Sequence, residues 1–273
     1  MRTARIAGLV VAGALALTAA LPASAAGSAM VRVLHGSPDA PSVDVFVDGN
    51  KVAALSGARF GDLTDYVAVP GGTYSIKVCA TADNTVCPIG PIDLTFTTGK
   101  KYTIAASDLL AQIKANVFTD GSASAGKASV RVVHLSADTP AVDVLTQDGS
   151  AKVVENLAYP DATGYLRLAP GSYDLKVCAH ADTTVCPLDP GALDLKGGVA
   201  YSVFAIGSLQ PGDGAAALTA VVGVDGMTAP ATDAAPVDTQ PAGSNAWLLL
   251  LTGAGLLGFV ASRRFASARA SVR

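Results

Sequence analysis

The sequence predicts an all-β protein: two tandem immunoglobulin-like or transthyretin-like β-sandwich domains, with an N-terminal signal peptide and one C-terminal transmembrane helix. Three observations predict it. Residues recur at a constant offset of 99, apolar and polar residues alternate with period two between Gly, Pro and Asp turn signals, and an arginine-flanked apolar segment lies at each end.

Residues 1–25 come first. Arg2 and Arg5 precede the small-apolar run Ile6–Ala20, and Ala23-Ser24-Ala25 follows. A basic region, an apolar region and an A-x-A site make a secretory signal peptide cut after Ala25.

The first repeat spans 27–121 and the second 128–223. Val31-Arg-Val-Leu-His35-Gly-Ser-Pro-Asp39-Ala-Pro41-Ser-Val-Asp44-Val45 returns as Val130-Arg-Val-Val-His134-Leu-Ser-Ala-Asp138-Thr-Pro140-Ala-Val-Asp143-Val144. Tyr66, Tyr74 and Tyr102 match Tyr165, Tyr173 and Tyr201. A period of 99 is too long for a solenoid unit and suits whole domains in array. Within each copy, Val43, Val45 and Val47 run into the hairpin signal Asp48-Gly49-Asn50, and Asp148-Gly149-Ser150 marks the same place in copy two. Tyr74, Ile76 and Val78 alternate with Ser75, Lys77 and Cys79 after Pro70-Gly71, as do their copy-two counterparts after Pro170-Gly171. That pattern is a half-buried antiparallel strand. Further strands are expected at 92–97, 102–106 and 113–118.

Residues 122–127, around Ser122-Ala-Ser-Ala-Gly126, read as an inter-domain linker. Residues 224–245, rich in Ala, Pro, Thr and Asp without apolar period, read as a stalk. Residues 246–262 form the expected membrane helix, with Trp247 at the interface. Residues 263–273, carrying Arg263, Arg264, Arg269 and Arg273, form a cytoplasmic tail. A Leu-Pro-x-Thr-Gly sorting motif is missing, since Gln240-Pro241-Ala242-Gly243-Ser244 keeps only the proline, so retention as a single-pass membrane protein is expected.

Charge follows this layout. The net of −3 combines −9 between the terminal segments with basic ends. An acidic exterior excludes nucleic acid as partner, because phosphate neutralisation needs Lys and Arg.

Four cysteines allow three pairings. Duplication and an oxidising exterior favour Cys79–Cys87 and Cys178–Cys186. The alternation places Cys79 and Cys178 outward, so each bridge is expected to staple a loop. The seven-residue spacing fits neither a zinc site nor a redox pair, and neither metal nor cofactor is expected.

The candidate motif residues are His35, Asp39 and Asp44, with His134, Asp138 and Asp143 in copy two. Each histidine ends a Val-x-Val-x-His alternation. One reading has it bond the backbone of the Pro-rich loop that follows, and another has it contact a ligand or metal. A third takes His35 with Ser37 and Asp39 as a hydrolytic set, which requires the serine and imidazole in one open cleft. The G-x-S-x-G elbow is absent. His180 has Thr81 as its counterpart and is read as exposed, outside the shared design.

The opening motif, with the Pro-Gly-x-Tyr turn and strand, resembles the bacterial domain-of-unknown-function family numbered 4397. Both copies carry it, over roughly residues 30–222, with departures at Ala137 and Thr139. The resemblance implies a secreted or surface β-sandwich, often in tandem, with no established activity. The architecture sets the leading expectation, a non-enzymatic function: surface display of two sandwiches for adhesion, envelope structure or contact with an extracellular protein, glycan or other ligand. The competing expectation is a surface hydrolase or metal-binding enzyme built on His35 and His134.

Overall fold

The computed structural model describes residues 27–212 and 214–228. The expected signal peptide, residues 229–245 of the stalk, the membrane helix and the tail lie outside the described residues. Among the described residues no helix is long and apolar enough to cross a membrane.

Copy one contributes β1 (Ser28–His35), β2 (Val43–Val47), β3 (Asn50–Lys51), β4 (Val67–Pro70), β5 (Gly72–Ala80), β6 (Ile89–Phe96), β7 (Lys101–Ser107) and β8 (Lys114–Asp120). Copy two contributes β9 (Ala128–His134), β10 (Val142–Thr146), β11 (Lys152–Leu157), β12 (Leu166–Leu168), β13 (Gly171–Ala179), β14 (Leu188–Leu195), β15 (Val199–Ile206) and β16 (Thr219–Met227). Each copy forms two four-stranded sheets, ordered β4-β1-β7-β8 and β3-β2-β5-β6 in the first and β12-β9-β15-β16 and β11-β10-β13-β14 in the second. The chain is all-β in two tandem domains.

The opening strands pair in both senses: β1 runs parallel to β7 and antiparallel to β4, and β9 parallel to β15 and antiparallel to β12. One expectation needs correcting, since the second sandwich extends beyond 223. Residues 224–227 are not stalk but the end of β16, which pairs with β15 out to Met227.

The core of copy one takes Ala29, Val31 and Val33 from β1, Val45 from β2, Ile76 from β5 and Phe96 from β6. Arg32 and Leu34, the intervening residues of β1, are buried too, although they face away from that core. Leu34 packs with Ala105, Val133, Leu135, Phe204 and Ile206, drawn from both copies. The sheets containing β1 and β9 thus lie face to face within residues 27–228. The linker at 122–127 joins two bodies that share an apolar interface, which removes the beads-on-a-string picture that the tandem repeat suggests.

Candidate functional site: the motif loops and the inter-domain clasp

Both histidines end their strands fully buried, His35 at 0% exposure and His134 at 1%. His35 Nε2 lies 2.9 Å from the Pro41 carbonyl, and His134 Nε2 lies 3.2 Å from that of Pro140. Each ring thereby ties the strand end to the return of its own loop, satisfying a carbonyl that burial would otherwise strand. In copy two the ring is held from the other side as well, since the Ser136 amide donates to Nδ1 at 3.3 Å. Burial depresses the pKa of His134 below its ordinary value, against the backbone bonds to Pro140 and Thr139 that raise it.

The serine hydroxyls do not meet the imidazoles. Ser37 Oγ donates to Asp39 Oδ1 at 3.4 Å, and Ser136 Oγ donates to Asp138 Oδ1 at 3.0 Å while sharing a 2.7 Å bond with Thr139 Oγ1. Both serines are 0% exposed. The aspartates pin a neighbouring loop. Asp39 accepts from the Leu110 amide at 2.7 Å. Asp138 accepts from Ser208 Oγ and from the amides of Leu209 and Gln210 at 2.5–3.1 Å. A hydrolytic set needs an open cleft and a serine–histidine bond. His35, Ser37 and Asp39 show neither, and the copy-two set shows the same arrangement.

Asp44 and Asp143 stand in a separate place, on the outer face of the β2 and β10 sheets. Asp44 accepts from Lys51 Nζ at 2.5 Å and from the Gly57 amide and Thr81 Oγ1 at 3.0 Å. Asp143 is bound by Lys152 Nζ at 2.8 Å, the Asn156 amide at 2.7 Å and His180 Nδ1 at 2.8 Å. His180 therefore does belong to the shared design. It donates where Thr81 donates in copy one, with its ring 38% exposed. Burial alone raises both carboxyls; these donors outweigh it, lowering Asp44 and holding Asp143 at about 2.

The disulfides are Cys79–Cys87 and Cys178–Cys186. Cys79 pairs across the ladder with Asp44, and Cys178 with Asp143. Cys79 and Cys178 thus share the outer face with Asp44 and Asp143 but are not exposed there. They are 1% and 0% exposed, because each bridge folds its own loop back over the sheet face. Among the described residues, no group of three or more His, Cys, Asp or Glu side chains is placed to hold a metal.

The residues that pattern reading missed are Arg32 and Arg131, the second letters of the repeated motif. They are 2% and 4% exposed at the face-to-face sheets. Arg32 Nη2 donates to Asp225 Oδ1 in the other copy, and Arg131 Nη2 donates to Asp120 Oδ1 in the reciprocal direction. Each guanidinium also reaches a carbonyl across the interface, Val224 O at 3.1 Å for Arg32 and Thr119 O at 3.0 Å for Arg131. The second oxygen of each aspartate is held within its own copy. Asp120 Oδ2 accepts from Thr103 Oγ1 at 2.7 Å and Tyr66 OH at 2.6 Å. Asp225 Oδ2 accepts from Ser202 Oγ and Tyr165 OH, each at 2.6 Å. Arg32 Nε completes the ring on Thr103 Oγ1 at 2.9 Å, and Arg131 Nε on Ser202 Oγ at 2.8 Å.

Every charge in this clasp is paired and hydrogen-bonded, the condition under which buried ions are tolerated. The tyrosines gain a second role, since the Arg32 guanidinium lies 4.5 Å from the Tyr66 ring centroid and that of Arg131 lies 5.2 Å from the Tyr165 centroid. Burial, together with the hydrogen bond to Asp225, pushes the Tyr165 hydroxyl up to about 12. One glycine is required for the close approach. A Cβ on Gly223 would stand 2.5 Å from Leu63 Cδ2 and 2.8 Å from Arg32 Nη1.

At the motif-loop end of the interface lies a cleft of about 250 Å3 between the copies, lined by Pro38, Asp108, Gln112, Leu135 and Tyr159 among others. Beside it, Tyr159 OH is 3.3 Å from both Asp108 Oδ2 and Ser107 Oγ.

No curated protein matches the chain. Among solved structures, the fimbrial anchor protein Mfa2 from Porphyromonas gingivalis aligns at 12% identity, over 74% of this chain and 100% of that one, with a TM-score of 0.17. A superposition that loose carries no argument about fold or role. The model for a family described as "Domain of unknown function (DUF4397)" matches residues 29–145 and again 145–242. The chain, with its two copies of the Val-Arg-Val-x-His strand and loop, belongs to that family.

Proposed function

We propose that the chain is a non-enzymatic cell-surface protein whose two sandwiches form one rigid head, carried on a stalk by a C-terminal membrane span and presented for adhesion, envelope structure or ligand contact. Each sandwich is read as immunoglobulin-like or transthyretin-like. The observation that carries this reading is the use of the repeat's polar residues. His35, Asp39, Asp44 and their copy-two counterparts are spent on holding loops, and Arg32 and Arg131 on locking the copies together. Such a head keeps a fixed shape outside the cell, and two stapled loops suit an oxidising exterior. The signal peptide and the apolar C-terminal segment supply the route and the anchor.

Protease shaving tests it. Intact cells expressing the whole chain, treated with an external protease, are expected to release a folded fragment ending in the stalk. Retention of the chain inside the treated cells, or its recovery as a freely secreted full-length protein, would overturn the reading.

A further inference from the structure

The polar side of the inter-domain cleft has no equivalent in the other half of the repeat. Ser107 corresponds to Ile206, Asp108 to Gly207 and Tyr159 to Phe60 at the constant offset of 99. Strand pairing extends the comparison. Lys114 sits opposite Ser107 as Thr219 sits opposite Ile206, and Asn116 opposite Ala105 as Val221 opposite Phe204. One side therefore carries Ser, Asp, Lys, Asn and Tyr where the other carries Ile, Gly, Thr, Val and Phe. Ile206 belongs to the interface core, and Phe60 and Val221 pack against that cluster. The polar set is linked. Asn116 Nδ2 donates to Ser107 Oγ at 2.7 Å, Tyr159 OH lies 3.3 Å from Ser107 Oγ and from Asp108 Oδ2, and Lys114 Nζ lies 3.4 Å from the same carboxylate oxygen.

Asp108 is the residue this set surrounds. Its side chain is 9% exposed and lines the cleft. Its backbone has φ 78°, where copy two uses Gly207 at φ 98°. A left-handed backbone costs a side-chain-bearing residue on the order of 1 kcal/mol, which glycine avoids. The carboxylate is kept there nonetheless. Oδ1 accepts from the Leu109 amide at 2.9 Å, but Oδ2 has only the two long contacts at 3.3 and 3.4 Å. Charge-assisted N–H···O bonds ordinarily close to about 2.7–2.9 Å. Lys114 is not locked in place, since its side chain is 51% exposed.

We propose that this cleft binds a small organic cation, a primary ammonium on a short aliphatic stem. The ammonium donates to Asp108 Oδ2 and to the Tyr159 hydroxyl oxygen in place of the Lys114 ammonium, and the stem lies against Leu135, Leu109 and Pro38. A volume of about 250 Å3 holds roughly eight water-sized groups at about 30 Å3 each. That admits a C4 to C6 amine. The inference rests on the ligand-contact reading of the head and narrows its ligand class.

Calorimetric titration of the whole protein with n-butylammonium decides it, with n-butanol and acetate as charge controls. Saturable binding of the amine alone is expected, weakened at least tenfold by Asp108→Asn and by Asp108→Gly. Because Gly207 already holds this backbone in copy two, Asp108→Gly is expected to melt no lower than the parent, which separates lost binding from lost fold. Absence of saturable amine binding, or undiminished binding by Asp108→Gly, would overturn the proposal. So would acetate binding that disappears in Lys114→Ala, which assigns the cleft to an anion. None of these outcomes touches the shaving result.

Discussion

The two sandwiches share a frame and differ in filling. Both keep the buried histidine, the loop-pinning aspartates, the disulfide and the clasp, position for position. Their cores have drifted apart. Copy one packs Phe96 against Tyr74 and Tyr102, with centroids 6.0 and 5.3 Å apart, and adds Ile92 and Ile104. The equivalent positions of copy two are Leu195, Gly191 and Val203, and an apolar cavity of about 80 Å3 lies among Leu195, Val203, Leu193 and Leu175. The difference follows from who answers to whom. Each arginine needs an aspartate in the other copy, so a change in one half is felt by both. A core side chain answers only to its own sandwich and drifts alone.

Opening the clasp tests the shared frame and carries the largest effect. Asp225→Ala takes from Arg32 its closest counter-ion and leaves Asp120 Oδ2 at 3.9 Å from Nε, while Asp120→Ala removes the carboxylate that Arg131 holds. Each is expected to cost about 3–5 kcal/mol in urea unfolding, the penalty for an uncompensated buried charge. The Asp120 cost should be the larger, because Asp120 Oδ2 also lies 3.9 Å from Arg32 Nε. A cost below about 1 kcal/mol for either would mean that water reaches the clasp.

The staples come next. Each bridge closes a nine-residue loop, counted from a sequence separation of 8. The chain-entropy account gives about 2.5 kcal/mol apiece. Paired Cys→Ala replacement in copy one and in copy two should therefore cost alike. Unequal losses would show that burial of Cys79 and Cys178 under different loop residues, Thr81 in one and His180 in the other, matters beyond loop closure.

The cores should respond in opposite directions. Phe96→Leu opens in copy one the space that copy two already has, and is expected to cost about 1–2 kcal/mol. Leu195→Phe fills the copy-two cavity and is expected to raise the melting temperature by a few degrees, as cavity-filling changes commonly do. Destabilisation by Leu195→Phe would mean the cavity is too narrow for a ring, and the comparison would then rest on Gly191.

The repeat, the strand alternation and the cysteine pairs were legible because each is a local or constant-offset pattern. The clasp was not. Asp120 and Asp225 are 105 residues apart, not 99, because the connection between β15 and β16 is six residues longer than that between β7 and β8, so a comparison at fixed offset misses them. A signal was present at the arginines. Arg32 shares its strand face with Met30 and Leu34, an apolar setting that a solvated face does not have. The roles of Asp39 and Asp138 were hidden for another reason: their partners lie about 71 residues away, and only the fold brings them together. Asp108 was invisible because its meaning lies in a backbone angle and in a glycine of the other copy.

The smallest effect is the pH dependence of copy two, and its sign comes from the bonds. Neutral His134 donates from Nε2 to the Pro140 carbonyl and accepts the Ser136 amide on Nδ1. Protonation of Nδ1 would set one N–H against another in a buried site. The folded pKa is lowered, so below the ordinary value of 6.5 the unfolded chain binds the proton more readily and stability falls with pH. Asp143 acts lower on the scale. Its carboxyl sits at about 2 instead of 3.8, so its contribution is fully present above about pH 4 and fades as pH falls toward 2. Melting temperature followed from pH 7 to pH 2 should therefore decline in two stages. His134→Gln is expected to flatten the upper stage and leave the lower, and Asp143→Asn to leave the upper and shrink the lower, to which Asp44 and Asp138, also lowered by their donors, still contribute. If His134→Gln leaves the decline below pH 6.5 unchanged, the proton is taken up elsewhere, and the buried ring of copy two is not what makes the head sensitive to mild acid.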